Sequence, residues 1–333
     1  MKRVLVTGDA GFIGFHVARQ LLAEGCLVFG LDAVTDYYDP ELKHARLRKN
    51  LGHPNYEHVT GRLEDREVLD ELLDRAQPDT VIHLAAQAGV RYSISHPEEY
   101  IGSNIIGTHQ LIRALERREI GHLLLASTSS VYGGNVNQPF SELEPTDAPM
   151  SLYAATKRSM EALAHSNSHL TAMPTTVFRF FTVYGPWGRP DMALYKFVRS
   201  ILSGEPIDIY GFGRMKRDFT YISDLVSAIV SLADVPPVKG SRVSAADSLS
   251  PVAPFRVVNI GGGSPTDLLT FVDSIERALG MNAIKRMLPI QPGDVYETNA
   301  DATLLSDLCG TIPTTPIDVG VGEFVSWYRE YSH

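Results

Sequence analysis

Short runs of aliphatic and β-branched residues alternate with longer amphipathic segments through the first half of the chain. This alternation is typical of βαβ units, in which helices connect parallel strands. Strands are predicted at 3–7, 27–31, 56–60, 80–84, 122–127, 175–180 and 256–260. Helices are predicted at about 12–23, 40–50, 66–75, 97–118 and 152–170. The pattern therefore predicts an α/β fold with a doubly wound parallel sheet.

The second half of the chain has a looser pattern, with Gly- and Pro-rich loops at 184–190 and 291–294 between shorter helices. Such loops suit a cap over a substrate. Because 333 residues are many for one domain, we expect a first domain at 1–181 and a smaller α/β domain at 182–333.

Three later segments interrupt this simple division. Those near 218–235 and 256–262 have the apolar pattern of the first domain and are expected to return to it. Segment 236–254 is rich in Ser, Pro and Ala and has no periodicity, so we predict an exposed, mobile insertion there.

Composition limits the classes of partner. The chain is 44% hydrophobic and 21% charged, which is ordinary for a globular protein, and no apolar run could cross a bilayer. The apolar run after Lys2 and Arg3 is too short for a signal peptide, so a cytoplasmic location without membrane binding is expected. A net charge of -9 opposes binding to nucleic acid.

Neither cysteines nor histidines predict a metal site. Cys26 and Cys309 lack the C-x-x-C spacing and lie in apolar patterns, where a reduced thiol packs as a small hydrophobic group. His165 and His169 have ligand spacing on a predicted helix, but the sequence offers no evident third ligand.

A glycine-rich loop follows the first predicted strand and leads into the first helix. Its spacing is Gly-x-x-Gly-x-x-Gly, a variant of the dinucleotide-binding fingerprint of Rossmann-type folds. Glycines allow a tight turn and let backbone N–H groups approach a pyrophosphate. The predicted cofactor residues of this loop are Gly8, Gly11, Phe12, Ile13 and Gly14.

Asp32 ends the second predicted strand, 18 residues after Gly14. A carboxylate there accepts hydrogen bonds from ribose hydroxyls and repels a 2′-phosphate. Because residues 33–35 include no arginine, we predict NAD rather than NADP. The alternative is that Asp32 only caps a turn.

Tyr153 and Lys157 lie four residues apart, on one face of a predicted helix. A nearby ammonium and a positive nicotinamide ring favour the phenolate, which can remove a proton from a carbinol while hydride leaves for NAD. The hydroxyls of Thr128, Ser129 and Ser130 follow a strand, at the edge where such sheets bind ligands. Thr128 is predicted to bind the reacting oxygen, although at least one of the three could simply form a Ser/Thr turn.

Three further segments, at 179–191, 215–221 and 288–295, complete a resemblance that covers nearly the whole chain. Together with the residues above and with 36–40, they resemble the extended short-chain dehydrogenase/reductase family, in particular its UDP-glucuronate 4-epimerases. In that family, NAD oxidises C4 of a UDP-linked sugar, the 4-keto sugar rotates, and hydride returns to its other face. The expected partners are thus UDP-glucuronate and UDP-galacturonate, and NAD is expected to stay bound between turnovers.

The resemblance also implies further site residues. Cofactor contacts are expected at Leu84, Ala85, Ala86 and Asn104, and Lys157 is expected to bind a cofactor ribose. Arg62 stands where the family usually has an acidic residue near the adenine, which leaves the contacts there open.

Substrate contacts follow from the same resemblance. Thr182 and Arg189 are implied as ligands of the uronate carboxylate, helped by Ser129 or Ser130. Arg217 is a candidate for the pyrophosphate, with a surface ion pair to Asp218 or another acid as its alternative.

Arg91, in the segment 89–93, is a further candidate for a substrate contact, and so is Asp294, which lies in a segment that carries the resemblance. A salt bridge that only pins a loop explains Arg91 nearly as well. The helices near 97–118 and 152–170 are expected to form a homodimer, and packing inside one subunit is the alternative.

Sister reactions are the nearest alternatives. A 4,6-dehydratase would carry Asp-Glu after the threonine, where Ser129 and Ser130 stand. A UDP-glucuronate decarboxylase usually has glutamate in place of Ser130, and a neutral-hexose 4-epimerase differs in the segment from Thr182 to Arg189. A protein that binds NAD as a sensor or scaffold, without turnover, is the alternative outside enzymes.

Overall fold

The computed structural model describes residues 1–291 and 293–332. Seven parallel strands form its central sheet: β1 Arg3–Thr7, β2 Leu27–Asp32, β3 Tyr56–Thr60, β4 Thr80–His83, β5 His122–Thr128, β6 Thr175–Phe180 and β11 Phe255–Ile260. Their order is β11-β6-β5-β4-β1-β2-β3, and every pairing is parallel. The chain moves outward in opposite directions from β1 and β4, as in a doubly wound fold, so the predicted fold class is confirmed.

Twelve α-helices surround the sheets: α1 Phe12–Ala23, α2 Pro40–Asn50, α3 Arg66–Ala76, α4 Tyr92–Ser95, α5 Pro97–Tyr100, α6 Thr108–Leu115, α7 Leu152–Thr171, α8 Ala193–Leu202, α9 Ile222–Ala233, α10 Leu268–Leu279, α11 Thr303–Cys309 and α12 Ile317–Tyr331, counted within the described residues. Capping residues explain where two of these helices begin. Ser151 accepts a hydrogen bond from Ala154 N at the start of α7, and Asp39 caps α2 ahead of Pro40.

The helix predicted at 97–118 is not continuous. A π-helical segment, Ile101–Gly107, separates α5 from α6. Within it, the buried Asn104 side chain binds the backbone of Gln87 at 2.8 and 3.0 Å. An apolar repeat alone does not reveal such a segment, because π-helical turns are rare and differ from α-helix in their i→i+5 hydrogen bonds.

Two apolar clusters cover the two faces of the sheet. On one face, α1 and α9 contribute Leu21 and Ile229, and on the other, α3 and α6 contribute Leu72 and Leu111. Because β11 lies beside β6 and α9 packs on α1, these late segments of the chain are part of the sheet lobe.

The second lobe is small and rich in aromatic residues. Its short strands are β7 Thr182–Tyr184, β8 Ile207–Ile209, β9 Lys216–Arg217, β10 Phe219–Tyr221, β12 Thr266–Asp267 and β13 Lys285–Met287. They form three two-stranded sheets, β10-β7, β12-β9 and β13-β8. An apolar cluster joins helices α8, α10 and α12 in this lobe. It contains Phe271 of α10 and Phe324 and Trp327 of α12.

The segment predicted as an exposed insertion packs against the sheet lobe over 247–254. Leu249 and Ala253 are buried, and buried Asp247 pairs with Arg256 at 2.8 and 3.0 Å. Ser250 lies 2.9 Å from the His165 ring. The prediction of an exposed segment is therefore wrong for this stretch, because a tertiary ion pair and apolar contacts hold it without any periodic pattern.

Within the described part of the chain, no helix combines the length and apolar character needed to span a bilayer. The same residues contain no group of three or more His, Cys, Asp or Glu arranged for a metal ion. His169 lies 2.9 Å from the Val252 carbonyl, and Cys26 and Cys309 are free thiols.

Candidate active site

A cavity of about 380 Å³ lies at the carboxyl ends of the central strands, beside the paired strands β1 and β4, from which the chain winds in opposite directions. This is the position where doubly wound sheets bind ligands. Most of the residues predicted for the cofactor and the chemistry line it together: Gly8, Gly11, Phe12, Ile13, Gly14, Asp32, Leu84, Ala85, Ala86, Thr128, Tyr153, Lys157 and Arg189.

The glycine loop leaves no room for side chains at its floor. Gly8 has φ +78°, and a Cβ there would lie 2.7 Å from Ala85 N. A Cβ on Gly14 would lie 2.0 Å from Gly8 O. Among the residues that the structure describes, no side chain caps the N-terminus of α1 at Gly11, so its first N–H groups remain available to an anion. These features fit the diphosphate of a dinucleotide.

Asp32 forms the turn considered as its alternative role, at a position that faces the cavity. Its Oδ1 accepts a hydrogen bond from Val34 N at 2.7 Å, so it does cap a turn, and it also lines the cavity. Lys43 Nζ lies 3.9 Å from Asp32 Oδ1. Burial lowers the pKa of Lys43, and the charge of Asp32 opposes that effect. Residues 33–35 gave no sign of this cation, because Lys43 lies on α2, farther along the chain.

Asp9 anchors the glycine loop from beneath. Its Oδ2 accepts from Tyr56 Oη at 2.5 Å and lies 2.8 Å from His58 Nδ1, both on β3. Burial raises the pKa of Asp9, and the hydrogen bond with His58 opposes it. A Cβ on Gly30 would lie 1.7 Å from the Asp9 carboxylate, so glycine is needed there.

Asn104 was predicted to contact the cofactor, but it does not line the cavity. Its amide donates to Gln87 O and to Thr156 Oγ1, each at 3.0 Å. Since Gln87 does line the cavity, Asn104 stabilises the cavity lining through its hydrogen bonds to the Gln87 backbone.

Tyr153 and Lys157 lie one turn apart on α7 and face the same cavity. Lys157 is buried and donates to Ala126 O at 2.9 Å. Burial lowers its pKa to about 7, although the charge of Glu161 opposes this. Burial also raises the pKa of Tyr153, against the direction expected from a lysine neighbour, while the Thr128 hydroxyl and Arg189 lower it.

A buried ion pair supports this helix from below. Arg179 Nε and Nη2 donate to the two oxygens of Glu161 at 3.0 and 2.8 Å, and Ser127 Oγ donates to Glu161 at 2.6 Å. Glu161 thereby joins α7 to the ends of β5 and β6. The position of Glu161 four residues after Lys157 places both on one face of α7, but this spacing does not indicate Arg179, which lies on β6.

Thr128, Ser129 and Ser130 form a turn, and they differ in whether they face the cavity. Thr128 Oγ1 accepts from Ser130 N at 3.2 Å, which is the Ser/Thr turn considered as the alternative. Thr128 lines the cavity, whereas Ser129 and Ser130 do not.

The two residues expected to bind a carboxylate lie in adjoining spaces. Arg189 lines the main cavity, and Thr182 lines a smaller neighbouring one that shares Arg189 with it. Arg189 Nε and Nη2 donate to Asp191 at 2.9 and 2.6 Å, and Tyr37 Oη donates to Asp191 at 3.0 Å. Asp191 was not singled out from the sequence.

The remaining substrate candidates lie outside the lining of the main cavity. Arg91 Nη2 pairs with Asp294 at 3.0 Å, as its alternative interpretation predicted. Arg217 Nη1 donates to Lys216 O and to Tyr296 O.

The alternative pairing of Arg217 with Asp218 is wrong. The Asp218 carboxylate accepts instead from three backbone N–H groups, those of Gly262, Gly263 and Ala300, each at 3.0 Å. Burial lowers the pKa of Arg217, and Asp294 opposes this.

The chain is similar to curated relatives and to a solved structure over nearly its whole length. A probable UDP-glucuronate 4-epimerase of Rhizobium meliloti (strain 1021) is 54% identical, over 98% of this chain and 97% of its own. UDP-glucuronate 4-epimerase 1 of Arabidopsis thaliana is 43% identical, over 98% of this chain and 77% of its own. The crystal structure of a Bacillus cereus UDP-glucuronic acid 4-epimerase with UDP-glucuronic acid and NAD superposes with a TM-score of 0.88, at 31% identity, covering 99% of this chain and 100% of that one.

The family model for NAD dependent epimerases and dehydratases matches residues 4–243, which include the glycine loop and the Tyr153–Lys157 pair. The chain belongs to the NAD dependent epimerase/dehydratase family.

Proposed function

We propose that the chain is a UDP-glucuronate 4-epimerase that interconverts UDP-glucuronate and UDP-galacturonate. One observation carries the proposal: a single cavity brings the dinucleotide loop, the Tyr153–Lys157 pair and the guanidinium of Arg189 together. The first two imply oxidation of a carbinol, and the third implies an anionic group on the substrate.

NAD is the cofactor, and when bound it supplies a reversible two-electron oxidant for one carbon of the sugar. The glycine loop from Gly8 to Gly14 would hold its diphosphate, and Asp32 would accept from a ribose hydroxyl. Lys157 would bind the other ribose, near the reacting centre. We assign residues 1–181, with the returning segments, to NAD and 182–333 to the UDP-sugar.

Tyr153 is the proton carrier of the proposed mechanism. Its phenolate accepts the C4 hydroxyl proton in the oxidation and returns it in the reduction. Lys157 and Arg189 are the cations that would favour this phenolate over the neutral phenol, which burial alone favours. Thr128 would hydrogen-bond the reacting oxygen in both directions.

Substrate recognition is assigned to the second lobe and to the loops that face it. Arg189 and Thr182, with Ser129 or Ser130, would bind the uronate carboxylate. Arg217 is the proposed ligand of the UDP pyrophosphate, since its guanidinium forms no ion pair with the described residues. The remaining candidates, the Arg91–Asp294 pair, would border the nucleotide.

The test is direct incubation of the purified protein with UDP-glucuronate, followed by separation of the nucleotide sugars. Accumulation of UDP-galacturonate to a stable ratio, without added NAD and without net NADH, is the expected result. Conversion chiefly to a UDP-pentose would show a decarboxylase instead. If the only sugars converted are neutral UDP-hexoses, the uronate assignment is wrong.

We also propose a homodimer that forms through the helices near 97–118 and 152–170, and a cytoplasmic location. Ile106 and Leu170, on these segments, are large apolar side chains that stay exposed in one subunit. The two free thiols suit a reducing compartment. A monomeric molar mass by light scattering would contradict the dimer, and recovery of the protein in another cell fraction would contradict the location.

A further inference from the structure

Arg189 does not stand alone at the cavity wall. Asp191 holds its Nε and Nη2 atoms, and Tyr37, which comes from the loop after β2, donates to the same Asp191 oxygen that accepts from Nη2. Arg189 and Tyr37 line the cavity, whereas Asp191 does not. The arginine therefore lies between this carboxylate and the space for the sugar.

A guanidinium offers two edges that can each bind a carboxylate with a pair of N–H groups. Asp191 uses the edge formed by Nε and Nη2, so the edge formed by Nη1 and Nη2 remains for a second carboxylate. Among the described residues, none forms a hydrogen bond with Nη1 of Arg189. The guanidinium is thus already oriented before an anionic sugar enters.

Tyr37 acts as the hydrogen-bond donor to the Asp191 carboxylate. Burial raises the pKa of Tyr37 to about 12, so it stays a neutral donor. Burial raises the pKa of Asp191, but the charge and hydrogen bonds of Arg189 and the hydrogen bond from Tyr37 lower it, and the net shift is downward. At neutral pH the cluster is therefore one phenol, one carboxylate and one guanidinium, with no net charge. Its effect on an incoming carboxylate is mainly one of geometry.

Geometry matters because the oxidised uronate is a β-keto acid. If its C5–C6 bond aligns with the C4 ketone, that bond can break: CO₂ leaves, and the bonding electrons form an enolate over C5, C4 and oxygen, which then takes a proton at C5. A carboxylate held in another rotation cannot donate those electrons into the ketone, and the sugar is reduced intact.

We propose that Asp191 is a positioning residue that, with Tyr37, orients Arg189 so that the uronate carboxylate is held out of the alignment for loss of CO₂. The inference deepens the proposed function and rests on it. It assigns to Asp191 the control of product identity, which is separate from the binding of the anion by Arg189 itself.

The test compares four proteins on UDP-glucuronate: the natural chain, Asp191→Asn, Tyr37→Phe and the control Asp318→Asn. Asp318 pairs with Arg277 at 2.6 Å on the exposed surface, so its variant also removes a carboxylate from an arginine but leaves the cavity unchanged. The readout is the ratio of decarboxylated UDP-pentose to epimerised UDP-uronate, together with the total rate.

Loss of a charge-assisted hydrogen bond at Arg189 should raise this ratio about tenfold in Asp191→Asn. Tyr37→Phe should raise it by a smaller factor, and the control should match the natural chain. A merely structural role would lower the total rate without moving the ratio.

An unchanged ratio in both cavity variants overturns the inference, whatever their rates. If Asp191→Asn does not fold, the ratio in Tyr37→Phe decides alone. If the natural chain itself forms no UDP-galacturonate, the proposed function fails instead, so the two failures are distinguishable.

Discussion

Two arginine–carboxylate pairs of nearly equal geometry lie in different surroundings. Arg179 and Glu161, here the scaffold pair, meet at 3.0 and 2.8 Å beneath α7. Arg189 and Asp191, here the cavity pair, meet at 2.9 and 2.6 Å beside the candidate active site. Their side-chain exposures differ: 4% and 2% for the scaffold pair, against 22% and 29% for the cavity pair.

This difference in burial separates a structural role from a ligand-binding one. Removing one partner of a fully buried pair leaves a charge that water cannot reach, which destabilises the fold. The cavity pair keeps part of its surface open, so solvent or a substrate anion can compensate for a lost partner. Identical chemistry thus supports the fold in one place and selects a ligand in the other.

The largest effect is expected at Tyr153, which shares α7 with Glu161 of the scaffold pair. Tyr153→Phe should lower kcat by about 10³-fold, because no proton carrier remains at C4, while the free energy of unfolding changes little. Steady-state kinetics and urea unfolding measure the two quantities. Activity within tenfold of the natural chain would remove Tyr153 from the mechanism.

Glu161→Gln breaks the scaffold pair with little change in shape. It should lower the free energy of unfolding by about 3–5 kcal/mol, because Arg179 is left charged and buried. Asp191→Asn, the matched change in the cavity pair, should cost only about 1 kcal/mol or less. Urea titrations of both variants provide the measurement, and equal losses would contradict the comparison.

Glu142 is a buried carboxylate that, unlike Glu161 and Asp191, forms no ion pair with the described residues. It accepts from Asn259 N at 2.8 Å, and burial raises its pKa from 4.5 to about 7. Between these pH values the folded protein binds a proton that the unfolded chain releases, so the contribution of Glu142 to stability falls as pH rises through this window.

Glu142→Gln should therefore stabilise the protein by roughly 3 kcal/mol at most at about pH 8, and have little effect at about pH 5. Thermal unfolding of both proteins across this range measures the difference. A gain of the same size at both pH values would point to packing and not to titration.

Local features were predicted well because they depend on neighbouring residues. Strands 3–7, 56–60 and 175–180 have the predicted limits, since a short run with β-branched and aromatic residues between turn residues marks a strand locally. The glycine loop and the Tyr153–Lys157 spacing were recognised for the same reason. The helix at 97–118 was mistaken as continuous, because the π-helical segment around Asn104 follows from its contact with Gln87.

The sequence by itself determined the strands of the sheet, the dinucleotide loop and the catalytic helix. Each of these depends on the types and spacing of residues within a short stretch of the chain. Only the tertiary structure decided what surrounds the site. Tyr37 and Asp191 are 154 residues apart, and Lys43 reaches Asp32 from another element. Such contacts depend on how elements pack and on which side chains become buried, and periodicity records neither.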